Sequence, residues 1–400
     1  IIVSHIATRS IKEHQHIGEV KVSQDVMAVA DDPEVDIVLE LIGGYDLAKE
    51  LVLRAISNGK HVVTANKALI AVHGNEIFSA ASEKNVVVAY EAAVAGGIPI
   101  IKALREGLAA NHIQWLAGII NGTGNFILSE MGDKGSEFAN VLKQAQDLGY
   151  AEADPTFDVE GIDAAHKLTI LAAIAFGIPL QFDKAYTEGI SNITIEDIRY
   201  AEELGYRIKH LGIARKSEQG IELRVHPTLI SKDTLIANVN GVMNAVMVQG
   251  DAVGPTLYYG AGAGAQATAS AVVADVIDVA RMMSSPENSV PALGFRQDSL
   301  SDLSILPINE IISAYYLRVV AKDKAGVLSD ITEILGDFNI NIEAVIQKEP
   351  RVHDVEQNLS VVILTDEIKE SVMNTAIEKI EALNAIGGKV ARIRMDRLED

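Results

Sequence analysis

An α/β fold is what the sequence predicts: a doubly wound parallel sheet, then an α+β domain, then a small domain of β-α-β-β-α-β order. Three observations lead there. Through residues 1–110, short apolar strands alternate with helical stretches, the pattern of a parallel sheet covered by helices. From about residue 185 the alternation gives way to hairpin-like strand pairs. After a polar, proline-containing stretch, residues 314–400 repeat the strand and helix order of a ferredoxin-like unit.

Taken in order, residues 1–8 read as a buried strand ending at Arg9. A second strand, V-D-I-V-L-E-L-I at 35–42, is closed by Gly43-Gly44, and a helix over 46–58 stops at Gly59. Strands follow at 61–64 and 86–90. In such a sheet ligands bind beyond the carboxyl ends of the strands. Arg9, Gly43, Gly44, Thr64, Asn66, Lys67 and Glu91 all fall at such ends. Glu91 to Pro99 is a loop entering a helix, with Pro99 in a favoured first-turn position. A strand at 113–120 runs into the tight turn Asn121-Gly-Thr-Gly-Asn125. Strands at 207–214 and 221–225 are joined by K-S-E-Q-G, and 242–250 and 254–259 add more strand. Gly260-Ala-Gly262-Ala-Gly264 opens an Ala/Val-rich helix reaching Met283. The polar stretch 284–307, with Pro286, Pro291 and Pro307, reads as a linker. The expected domains are 1–110 for nucleotide, 111–283 for substrate and dimerisation, 284–313 as linker and 314–400 as a regulatory unit.

Composition narrows the function. With 400 residues and 48% hydrophobic content the chain can bury substantial cores. It has no cysteine, which rules out a disulfide framework and thiolate metal sites. No apolar run approaches the ~18 residues of a membrane span, and I-I-V-S-H-I-A-T-R-S lacks the features of a signal peptide. A cytoplasmic protein is expected. A net charge of −21 argues against nucleic acid and anionic membranes as partners.

Chemistry concentrates between Gly149 and Thr169, G-Y-A-E-A-D-P-T-F-D-V-E-G-I-D-A-A-H-K-L-T. Asp154-Pro155 cannot continue a helix, whereas Ile162, Ala165, Leu168 and Ile170 give the following stretch an apolar face. Asp163 and Lys167 lie four apart, one above the other on that helix. Spacing alone describes a surface ion pair worth a few tenths of a kcal/mol. The setting argues for more: Glu152, Asp154, Asp158 and Glu160 crowd the approach, and the helix beyond is almost wholly apolar. A lysine anchored there is a candidate proton-transfer group.

These residues resemble the signature of homoserine dehydrogenase, and L-I-G-G at 41–44, T-A-N-K at 64–67, E-A-A-V-A-G-G-I-P at 91–99 and N-G-T-G-N at 121–125 agree. The resemblance implies a Rossmann-like nucleotide domain, a substrate domain and a C-terminal ACT domain, and an NAD(P)-dependent oxidoreductase acting on L-homoserine or L-aspartate 4-semialdehyde. It implies Lys167 and Asp163 as catalytic, and Glu152, Asp158 and Asp163 as substrate-binding. It implies Arg9, Gly43, Gly44, Thr64, Lys67, Gly149 and Gly264 on the cofactor, and a sodium ion at the Glu91, Val94, Gly96 and Ile98 positions. From the residues themselves, Gly43-Gly44 is equally a plain turn, the 260–264 glycines a close packing site, and Lys67 an ordinary helix-start lysine. The D-x-x-G-V-L turn and N-I-N-I suggest L-threonine bound around Asp323, Gly326, Asn339 and Asn341, with a ligand-free dimerisation domain as the alternative. A homodimer or homotetramer is expected.

One feature of the fold is missing from the sequence. A dinucleotide-binding sheet opens with a strand and G-x-G-x-x-G, and no such motif stands near Ile1. The sheet is therefore expected to be N-terminally truncated, with the strand at 1–8 beside a gap. Arg9 then occupies the end of the second strand, where an arginine suits the 2′-phosphate of NADP; a solvated strand-end charge is the other reading. A non-catalytic amino-acid sensor is the alternative function.

Overall fold

The computed structural model describes residues 1–9, 20–283, 290–348 and 358–398. The first part contains β1 (His5–Ala7), β2 (Lys21–Ser23), α1 (Met27–Asp31), β3 (Ile37–Glu40), α2 (Asp46–Ser57), β4 (His61–Thr64), α3 (Lys67–Glu83) and β5 (Val88–Ala89). β3, β4 and β5 form a parallel sheet in that order, Val38 opposite Val62 and Val62 opposite Val88. The strand expected over 1–8 is shorter, His5–Ala7, and pairs in parallel with β2 in a separate two-stranded sheet. β2 escapes sequence reading because three largely exposed residues carry no periodic pattern. α2 buries Leu51, Val52, Ala55 and Ile56 on one face, and α3 starts where the Asn66 side chain accepts the Leu69 N–H.

The middle part contains α4 (Ile100–Lys102), β6 (Ile113–Ile119), α5 (Gly122–Lys134), α6 (Phe138–Asp147), α7 (Thr156–Val159), α8 (Ile162–Phe176), β7 (Tyr186–Thr187), α9 (Ile195–Glu203), β8 (Tyr206–Lys216), β9 (Ile221–Ser231), β10 (Met243–Gly250), β11 (Gly254–Ala261) and α10 (Ala265–Met282). Five of its strands lie antiparallel in the order β11-β10-β6-β8-β9, and the short β7 pairs in parallel with β9. α8 is buried along nearly its whole length, between α3 and strands β8 and β9. A helix apolar on all sides is what such a position requires. α10 returns to the first part and packs Val272, Val276 and Val279 against β4 and β5.

The described part of the 284–313 stretch is packed down rather than free. Leu293 and Ile305 join the main core, Tyr90 donates to the Ala292 carbonyl at 2.5 Å, and Ser301 N–H donates to Gly177. Proline and polar content suggested a linker; the few apolar residues within it decide otherwise. Pro286 lies outside the described residues.

The C-terminal part is ferredoxin-like: β12 (Ile312–Lys322), α11 (Val327–Asp337), β13 (Ile342–Gln347), β14 (Asn358–Lys369), α12 (Glu370–Glu381) and β15 (Ala391–Met395), in sheet order β15-β12-β14-β13. Its outer strand does not stop there. β15 pairs in parallel with β9, Arg394 opposite Thr228, so one ten-stranded sheet crosses from the middle part to the end of the chain. The seam holds ion pairs: Arg318 on Asp197 at 2.6 Å, Arg224 on Asp396 at 3.0 Å, and Arg394 on Glu188 at 2.7 Å. Breaking one such pair strands a charge at ~3–5 kcal/mol, so the last domain is locked to the middle one.

Candidate active site

Three chain segments converge on one carboxylate. Asp163 stands in the first turn of α8, and Lys167 stands one turn later. Lys167 Nζ donates to Asp163 Oδ2 at 2.7 Å and to the Ile120 carbonyl at 2.7 Å, where β6 ends. Asn121, the N-cap of α5, donates from Nδ2 to Asp163 Oδ2 and to Asp158 Oδ1, both at 2.8 Å. Lys67, from the start of α3 in the first part, reaches Asp163 Oδ1 at 2.9 Å. Burial alone would raise the Asp163 carboxyl, but the Lys167 and Lys67 charges and these hydrogen bonds hold it well below the usual carboxylate range. Asp158 is pushed up, chiefly by burial. Lys67 loses basicity to burial and regains more from Asp163, ending above the ordinary lysine value.

Next to this cluster a cavity of about 660 Å³ is lined by Leu41, Gly43, Ala65, Asn66, Gly264 and Thr268, among others. Its floor is built from the ends of β3 and β4. Gly43 and Gly44 both have positive φ, +74° and +76°, which turns the chain sharply away from β3. Glu40 ties that turn down: its carboxylate accepts from the Ile42 and Gly43 N–H groups and, at 2.7 Å, from the Thr64 hydroxyl. Asn66 donates to the Gly44 carbonyl at 2.7 Å. Gly264, φ +118°, precedes α10 on the opposite wall. A largely apolar concavity with a few placed polar groups, at the carboxyl ends of parallel strands, is the form of a dinucleotide site.

Comparison with known proteins now decides the family. The family model described as "Homoserine dehydrogenase" matches residues 99–277, "Homoserine dehydrogenase, NAD binding domain" matches 1–91, and "ACT domain" matches 315–385. The homoserine dehydrogenase of Pseudomonas aeruginosa is 65% identical over 399 residues, covering 100% of this chain and 92% of the relative. The chain belongs to the homoserine dehydrogenase family. The Neisseria gonorrhoeae homoserine dehydrogenase is 60% identical over 92% of this chain and 84% of its own. The crystal structure of the Thiobacillus denitrificans enzyme superposes with a TM-score of 0.93 at 62% identity, covering 99% of this chain and 90% of that one. A hyperthermophilic archaeal homoserine dehydrogenase in complex with NADPH matches more distantly, at 28% identity and a TM-score of 0.58 over 65% of this chain and 76% of that one. The chain is thus an oxidoreductase with an NAD-binding domain, and the non-catalytic sensor loses its basis.

The remaining expected residues are scattered. Glu152 lies on the exposed loop before α7, where its charge reaches Lys67. Gly149 (φ +75°) is exposed after α6, and Arg9 is exposed after β1; both stand outside the cavity lining. Glu91, Val94, Gly96 and Ile98 are all buried. The Glu91 carboxylate caps a helix start, accepting the Ile101 and Lys102 N–H groups at 2.9 Å. Burial pushes that carboxyl up to about 7. The Glu91 side chain thus anchors the helix start, and the main-chain carbonyls of this loop are further oxygen donors for a cation. Asp323 and Gly326 are separated from Asn339 and Asn341. Lys322 pairs opposite Asn358, whereas Ile342 pairs opposite Thr365 at the far end of β14, about 20 Å along the strand.

Sequence reading missed Glu40, Asn121 and the Ile120 carbonyl as parts of the site. Signals existed for the first two. Glu40 is a carboxylate in an otherwise apolar strand directly before a glycine pair, and Asn121 is a good N-cap residue ending a strand. A main-chain carbonyl leaves no such trace.

Proposed function

We propose that the chain interconverts L-homoserine and L-aspartate 4-semialdehyde, with Lys167 as the group that moves the proton. The observation that carries this is the meeting of Lys67 and Lys167, from two domains, at the single buried carboxylate of Asp163 beside the cavity. NAD(P), when bound, supplies the hydride acceptor or donor. In reduction the Lys167 ammonium gives a proton to the substrate oxygen as its carbon gains a hydride; in oxidation the neutral amine takes the hydroxyl proton as that carbon gives up a hydride. Asp163 aims Lys167 along with the Ile120 carbonyl, and Asn121 fixes Asp163. Lys67 bridges the cofactor cavity and Asp163. Asp158 and Glu152 offer negative charge to the substrate ammonium.

Further parts of the reading are finer. Gly43, Gly44, Thr64 and Gly264 border the cofactor, and Arg9 takes the 2′-phosphate of NADP; the NADPH complex of the archaeal relative supports that cofactor. Gly149 holds the loop next to it. Sodium is held by carbonyls at Glu91, Val94, Gly96 and Ile98, all hard oxygen donors. L-Threonine regulates through the ACT domain; because Asp323 and Asn341 lie at opposite ends of β14, a site using both draws on two copies, in a homodimer or homotetramer. The enzyme works in the cytoplasm, and no described helix is long and apolar enough to cross a membrane. The deciding experiment supplies L-homoserine with NADP⁺ and with NAD⁺ and follows nicotinamide reduction. Turnover with neither would refute the reading.

A further inference from the structure

The position of Asp163 depends on what packs against the start of α8, because that helix has no side-chain cap at its N-terminus. Its N-cap, Gly161, has φ +84°, and a Cβ there would meet the His210 ring and Val225 at 3.1 Å. His210, on β8, faces the start of α5 as well: a Cβ on Gly124 would lie 3.6 Å from its Nδ1. Gly124 is the residue whose N–H the Asn121 side chain accepts, at 2.7 Å. One buried ring therefore touches both helix starts that carry the site.

The ring is itself held from one side. His210 Nε2 lies 2.9 Å from the Glu188 carbonyl. A carbonyl only accepts, so Nε2 carries the proton and Nδ1 is a bare acceptor, buried and without a partner among the described residues. The ring is neutral, since burial pushes its pKa down. Leaving a buried acceptor unpaired is unfavourable, so the ring is held here by its Nε2 bond and its packing rather than by Nδ1.

Glu188 is the middle of a short segment tied at both ends. Its carboxylate accepts from Arg394 at 2.7 Å and from the Tyr186 hydroxyl at 2.7 Å. Arg394 belongs to β15 and also grips Glu370 at the start of α12, so this end is anchored in the last domain. At the other end, Ile190 N–H donates to the Val159 carbonyl at 2.9 Å and Ser191 donates to Glu160 at 2.7 Å. A Cβ on Gly189 would fall on the Glu160 carboxylate, so the two strands of chain touch here. Glu160 is the residue immediately before Gly161.

We propose that residues 186–191 are a positioning strap, anchored by Arg394 of the C-terminal domain, which through His210 and the contacts on Val159 and Glu160 sets where Gly161, and hence Asp163 and Asn121, stand. His210 and Glu188 are positioning residues; neither touches the reacting atoms. The proposal rests on the assigned role of Asp163, and it makes the last domain part of the frame that aligns the catalytic pair.

Two substitutions in the full-length enzyme test it. His210→Gln keeps an N–H for the Glu188 carbonyl; His210→Phe keeps ring volume without it. The Phe variant should lose about 10²-fold in kcat, the effect of an ångström-scale displacement, with NADPH affinity nearly unchanged, and the Gln variant should recover most of the loss. Glu188→Gln, which removes the charge that Arg394 grips and leaves the main-chain carbonyl, should lower kcat too, and combined with His210→Phe should add little further. Hydrogen exchange supplies a readout independent of turnover: the Gly124 and Ala165 amides should exchange faster in His210→Phe. Inactivity of the wild type towards homoserine would refute the assigned reaction, while the exchange rates would still judge the strap. Full kcat with normal exchange in His210→Phe, equal losses in Gln and Phe, or additive effects with Glu188→Gln would overturn the proposal.

Discussion

Replacing Asp163 by asparagine keeps its size and removes its charge, and the structure sets the consequence. Asp163 answers two lysines, Lys167 at 2.7 Å and Lys67 at 2.9 Å. The Lys167 side chain is only 11% exposed, so its ammonium would be stranded, at ~3–5 kcal/mol for a broken buried pair. The Lys67 side chain is 36% exposed, and water screens its loss to under about 1 kcal/mol. The expected destabilisation is therefore about 3–5 kcal/mol. Urea unfolding followed by the fluorescence of Trp115, the single tryptophan, measures it; that residue is buried in β6, the strand leading to Ile120. pH supplies a second check. The folded-state carboxyl of Asp163 is depressed, so its stabilisation is complete above an ordinary aspartate pKa of about 4 and is lost as pH falls towards the folded value. The lead of wild type over Asp163→Asn should be flat from neutral pH to mildly acidic pH and shrink on further acidification. A loss below about 1 kcal/mol, or a lead that widens in acid, would refute the claim that this carboxylate neutralises a buried lysine.

Lys167→Ala should cut turnover by about 10²–10⁴-fold and leave NADPH binding, read by fluorescence titration, nearly intact; normal turnover would remove it from the mechanism. Gly262→Ala places a Cβ on the buried Asn244 amide, and overpacking of this kind should cost about 1–3 kcal/mol in thermal unfolding; an unchanged melting curve would show that Asn244 moves aside freely. L-Threonine should inhibit the whole enzyme with a coupling of about 1–3 kcal/mol and should favour a dimer in sedimentation, given the separation of Asp323 from Asn341. Identical kinetics at saturating threonine would leave the last domain its structural role alone.

Local sequence determined a good deal about this protein. The alternation of strands and helices gave the class, and the β-α-β-β-α-β order expected over 314–400 is the order found there. The i,i+4 spacing of Asp163 and Lys167 put both on one helical face, as the geometry of any helix requires. Gly43-Gly44 after an apolar strand marked the turn beside the cavity. What pattern reports is which face of an element is apolar, and not which partner covers it. Only the tertiary structure decided that Lys67 crosses from another domain to Asp163, that Asn121 and the Ile120 carbonyl complete the cluster, and that Glu40 secures the glycine turn. It likewise decided that Leu293 and Ile305 hold down a stretch whose composition suggests a spacer, and that Asp323 and Asn341 end up far apart. The join between β9 and β15 is the plainest case: it is made by main-chain groups and by arginines meeting carboxylates from distant segments, and neither main-chain pairing nor the choice of a distant counter-ion leaves a local mark in a sequence.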